Sequence, residues 1–106
     1  MKKIILLASA LLSISVAANP GSWTPSNTVQ QIMIENGIAL IIMTGGVPSN
    51  YIPSDCNQPY NQADLSTEHG KAVYSLALSA KMANKNISLA LNCKGSRPNI
   101  KLIRLN

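Results

Sequence analysis

A small α+β domain stapled by one disulfide is the fold class this sequence predicts, and three observations predict it. Asn36-Gly37 separates two runs rich in β-branched residues. Ser66 to Asn84 is free of proline and dominated from Lys71 onward by alanine, leucine, lysine and methionine, and two further β-type runs follow it. Cys56 and Cys93 are the only cysteines.

The chain opens with Lys2 and Lys3, runs through the apolar stretch Ile4 to Val16 and reaches Ala17 and Ala18, the three-part layout of a secretory signal. That stretch is too short for a membrane-crossing helix, which needs about 20 apolar residues. Cleavage after Ala17 fits the small-residue rule. Cleavage after Ala18 is preferred, because the polar Asn19-Pro20-Gly21 then begins the mature chain. The signal is therefore residues 1–18 and a single domain occupies 19–106, with a secreted or periplasmic destination and no stable membrane insertion. In an exported chain an even pair of cysteines reads first as a disulfide. The loop closed by Cys56 and Cys93 spans 37 positions, which stabilises by roughly 3 to 4 kcal/mol on the chain-entropy model. A domain with no Phe, one Trp and three Tyr builds its core from aliphatic side chains and gains from such a staple.

Along the mature chain, Asn19 to Asn27 carries two prolines and reads as an extended lead-in, with Trp23 the one large residue able to pin it. Val29 to Glu35 and Ile38 to Thr44 form a hairpin about Asn36-Gly37, whose residues suit a type I′ turn. The second arm is apolar on both faces and so belongs in the centre of a sheet. Gly45 to Ala63 contains Pro48, Pro53 and Pro59 and reads as a long loop tied down by Cys56. The helix, about residues 66–84, can be capped by Ser66 or Thr67 and ended by Asn84 or Asn86 in the left-handed conformation. Steps of about 100° place Ala72, Val73, Leu76, Ala80 and Ala83 on its core face. Tyr74, Leu78 and Met82 fall opposite, among Lys71, Lys81 and Lys85, and read as an oligomer interface or as a stripe covered by the long loop. Ile87 to Asn92 and Ile100 to Leu105 are the closing strands, joined by a turn at Lys94 to Asn99.

The same residues argue against several chemistries. Gly95-Ser96-Arg97-Pro98 lacks the second glycine of a nucleophile elbow. His69 falls in the first turn of the helix and reads as a surface residue rather than a general base. Of the four carboxylates, only Asp64 and Glu68 can be neighbours, in the ordinary arrangement of a helix start. One histidine and two cysteines make too poor a set for a metal site, and Thr44-Gly45-Gly46-Val47 lacks the lysine of a phosphate loop. No catalytic residue, metal or cofactor is therefore expected. Lys71, Lys81, Lys85, Lys94, Arg97, Lys101 and Arg104 exceed the acids of the mature chain by three, but the scarcity of aromatic platforms argues against nucleic acid. A polar loop without catalytic chemistry reads as part of a binding module.

The run Gly70-Lys71-Ala72-Val73-Tyr74-Ser75-Leu76-Ala77-Leu78-Ser79-Ala80-Lys81-Met82-Ala83-Asn84-Lys85, followed by Ile87-Ser88-Leu89-Ala90-Leu91, Cys93 and Ile100-Lys101-Leu102-Ile103-Arg104, carries a family resemblance. It resembles small secreted proteobacterial proteins similar to the B subunit of subtilase cytotoxin and related pertussis-like toxin B subunits. The likeness covers roughly Trp23 to Leu105. It implies a small antiparallel OB-like β-barrel with one helix, and a disulfide from the loop before the helix to the strand after it. It also implies a ring-shaped homo-oligomer that binds sialylated glycans, or in this chain a glycan or protein ligand, while assigning no ligand-binding residue. A periplasmic structural or accessory protein and a small enzyme with an unrecognised site, which an activity screen with His69 and Glu68 substitutions would address, are the alternatives.

Overall fold

Asn36 and Gly37 both adopt positive φ, 51° and 77°, in a computed structural model that describes residues 22–56 and 60–106. Between them they turn β1 (Val29–Glu35) into β2 (Ile38–Met43), antiparallel with Glu35 opposite Ile38 and Val29 opposite Met43. A bulge lies between Val29 and Gln31. β2 lies inside the sheet, as its two apolar faces predict: Ala39, Ile41 and Met43 are buried on one face and Leu40 on the other. The expected signal segment, residues 1–18, lies outside the described residues. Among the described residues no helix is long and apolar enough to cross a membrane.

The remaining strands are β3 (Asn61–Asp64), β4 (Ile87–Lys94) and β5 (Arg97–Leu105), and the sheet order is β1-β2-β3-β5-β4. Two expectations are corrected here. The sheet is mixed rather than antiparallel, because β3 and β5 run parallel with Gln62 beside Asn99. It is also not closed into a barrel: among the described residues no ladder joins β1 to β4, and the lead-in before β1 meets β4 through an isolated bridge between Asn27 and Ile87. β3 itself occupies the end of the segment read as loop. Asn, Gln, Ala and Asp have little intrinsic preference for a strand. The ladder to β2 holds them there, and the buried Asn61 side chain adds a bond of 3.0 Å to the Ile41 carbonyl. β5 likewise begins earlier than expected, so Arg97-Pro98-Asn99 belongs to the strand rather than the turn.

Helix α1 (Glu68–Ala83) lies where the composition predicts. Thr67 caps it, its hydroxyl accepting from the Gly70 N–H at 2.9 Å, and Asn84 ends it at φ 54°. Its buried line is Gly70, Val73, Ala77 and Ala80, whereas Ala72 and Ala83 are exposed. The core face is thus rotated by about 70° from the expected arc at the helical 100° per residue. The smallest side chains, not the centre of the apolar arc, face the strands. The rotation also divides the expected interface stripe: Tyr74 packs against the core, Leu78 is half-buried and Met82 is 80% exposed. Val47 and Ile52 of the long segment pack against that same core, which also contains Ile41, Met43, Leu89, Leu91 and Ile100.

The outer edge of β4 is covered by the lead-in. Thr24 donates its N–H to Leu89 at 2.8 Å and accepts the Leu89 N–H on its hydroxyl at 2.9 Å. Arg104 sits over the Trp23 ring, 4.5 Å from its centroid. The Cys56–Cys93 disulfide joins the long segment to the far end of β4, with Cα atoms 5.7 Å apart.

Candidate ligand-binding groove

Side chains alternate across the sheet, so Met33, Leu40 and Arg97 share the face turned away from the helix. Met33 stands directly opposite Leu40 in the β1–β2 ladder. Tyr60 immediately precedes β3 and Arg97 opens β5. Because Gln62 and Asn99 are partners in the parallel pair, Tyr60 and Arg97, each two residues upstream, arrive at the same height. Together with Ile34 and Glu35 these residues line a groove of about 370 Å³, a size typical of small-ligand sites. Leu40 is buried in its floor, and Tyr60 on its wall is 38% exposed.

The electrostatics of the groove centre on Arg97. Its side chain is only 25% exposed, and its Nε is buried without a hydrogen-bond partner among the described residues. The Glu35 carboxylate lies 3.9 Å from its Nη1, close enough for Coulomb attraction but too far for a hydrogen bond. A buried donor left unpaired is costly, and such an atom in a native fold calls for a partner. A second hollow, about 190 Å³, lies between the lead-in and the Gly45-Gly46 turn, bounded by Thr24, Asn27, Thr44 and Val47. Its polar groups already satisfy one another: Asn27 Nδ2 donates to the Thr44 carbonyl at 2.7 Å, and the Thr28 and Thr44 hydroxyls are 2.8 Å apart.

The residues weighed for catalysis do not gather in this groove. His69 Nε2 lies 3.3 Å from the Ile100 carbonyl, tying the first helical turn to β5. Glu68 pairs with Lys71 at 3.4 Å on the exposed side of the helix. Asp64 accepts the Ser66 hydroxyl at 2.7 Å and the Ser66 N–H at 2.9 Å, with Lys94 3.6 Å away. Those two bonds, then the Lys94 ammonium, hold its carboxyl below the usual 3.8. Among the described residues no three His, Cys, Asp or Glu side chains cluster as metal ligands would.

Sequence reasoning missed the groove because its members are scattered over positions 33, 35, 40, 60 and 97. Tyr60 was part of a long loop and Arg97 one basic residue among several. The only available signal was the hairpin, which fixes Met33 opposite Leu40. No family model, curated protein or solved structure matches the chain.

Proposed function

We propose that the protein is an exported, non-catalytic binding module of toxin-B-subunit type, built on an OB-like plan, that seats a glycan or protein ligand in the groove between Tyr60 and Arg97. Three features support the OB-like plan: the strand order, the helix between β3 and β4, and the bridge from the lead-in of β1 to β4. A partly open five-stranded barrel of this type binds its ligands on the face of strands 2 and 3, beside the loops joining strands 1–2 and 4–5. The groove lies there, with Leu40 on β2, Tyr60 at the head of β3, Glu35 before the first loop and Arg97 after the other. This correspondence carries the reading. It is an analogy of architecture, and the chemistry of the groove must supply the activity.

A glycan array and a peptide array, probed with wild type beside Tyr60→Ala, test the reading. Binding that disappears with Tyr60→Ala is the expected result. Binding unaffected by both Tyr60→Ala and Arg97→Gln would move the ligand elsewhere. Export is tested by N-terminal sequencing, which should begin at Asn19 in the periplasmic or secreted fraction. The resemblance also implies a ring of copies, and the helix face of Leu78 and Met82, flanked by Tyr74, is proposed as its interface.

A further inference from the structure

We infer that the group anchored by the groove is a carboxylate borne on an apolar body, held by the Arg97 guanidinium. The inference rests on the groove being the ligand seat, and it narrows the glycan or protein ligand proposed there to one whose contacting part is apolar and carries a carboxylate. It starts from the Arg97 side chain, which lines the groove and keeps a quarter of its surface exposed, and from the 3.9 Å separation that leaves Glu35 without a hydrogen bond to its Nη1. A guanidinium offers its donors as a planar fork that matches the two oxygens of a carboxylate. The body of the ligand then lies along Met33 and Leu40, with Tyr60 beside it, surfaces that offer contact area and few hydrogen bonds. A polyhydroxylated ring would leave most of its hydroxyls unmatched there.

Glu35 has a defined part in this arrangement. Its side chain is 57% exposed, so it can turn into solvent when a ligand carboxylate takes the guanidinium. It acts as a weak internal competitor that neutralises Arg97 while the groove is empty. Its removal should tighten the binding of an anion and leave a neutral analogue unchanged. Two sources share this chemistry, a free aryl or alkyl acid and the C-terminal residue of a peptide.

The probes are 3-phenylpropanoate, its amide, glucuronate, and the tripeptide Gly-Gly-Phe with a free or amidated C-terminus. They are read by calorimetry and by the NMR shift of the Arg97 Nε–H. 3-Phenylpropanoate and free Gly-Gly-Phe should bind and displace that resonance, glucuronate should bind more weakly than either, and the amides should bind roughly 10- to 100-fold more weakly than their acids, the worth of a charge-assisted bond. Arg97→Gln should lose the same factor, Arg97→Lys should recover part of it, and Glu35→Gln should strengthen the acids alone. A tighter grip on Gly-Gly-Phe than on 3-phenylpropanoate identifies a chain end as the source, and the reverse order a free acid. Amides that bind as well as acids, or no binding of either acid, would overturn the inference. Glucuronate binding as well as 3-phenylpropanoate would overturn its apolar half. Should Arg97→Gln fail to fold, Glu35→Gln and the acid–amide comparison still decide. If Tyr60-dependent glycan binding persists while every acid fails, the binding-module reading stands and this inference falls.

Discussion

Replacing Gly70 by alanine sets two effects of opposite sign against each other. Gly70 lies in the first turn of α1, where alanine is the better helix former by about 1 kcal/mol. Its Cα faces the end of β3, however, and a Cβ added there would overlap the Asp64 backbone carbonyl and crowd the Asp64 nitrogen. Backbone cannot swing aside as a side chain can, so the helix must move. Overpacking of this kind costs about 1–3 kcal/mol. The movement would also loosen the junction that Thr67 holds, where its hydroxyl donates to the Asp64 carbonyl at 2.9 Å and accepts from the Gly70 N–H. Loss of such a cap costs about 1 kcal/mol. The net is a destabilisation of about 1–3 kcal/mol, or roughly 5–20 °C in melting temperature for a domain of this size. Thermal denaturation followed by far-ultraviolet circular dichroism measures it. Ala72→Gly, at an exposed position of the same helix, is the control for propensity alone and should cost about 1 kcal/mol. A Gly70→Ala variant melting at or above wild type would refute the close approach of helix and strand.

Cys93→Ser should lower stability by roughly 2 to 5 kcal/mol in denaturant titrations, and mass spectrometry of the wild type should find no free thiol. Stability should fall as pH drops below 3.8, because the Asp64 carboxyl, held low by Ser66 and Lys94 in the folded state, is protonated more readily in the unfolded chain. This contribution is present above 3.8 and is lost as pH falls through the folded value, so Asp64→Asn should flatten the acid limb of the curve. Analytical ultracentrifugation should show self-association of wild type that is abolished by Leu78→Lys. A wild type that stays monomeric at high concentration, in low and in moderate salt, would leave Met82 as an isolated exposed side chain.

The elements legible in the sequence were those set by local physics. Asn36-Gly37 fixed a turn because both residues tolerate positive φ, and the turn in turn fixed the register of β1 against β2. Thr67 and Asn84 bounded the helix because a cap needs only its own neighbours. The pairing of Cys56 with Cys93 followed from the count of two cysteines and the compartment expected from the N-terminal segment. The rotation of the helix was not legible, because Ala72 and Ala77 are chemically alike and only the packing of the helix on the sheet decides which one is buried.

The sequence by itself thus determined an α+β chain with a hairpin, one capped helix, a disulfide and an aliphatic core. Only the tertiary structure decided that Asn61–Asp64 is a strand, that the sheet is mixed and open, and that Tyr60 and Arg97 line one groove. The physical reason is range. Turns and caps are energies of adjacent residues, whereas a weak strand former paired with β2 and β5, or a groove shared by an arginine and a tyrosine 37 positions apart, depends on contacts that exist only after the chain has closed on itself.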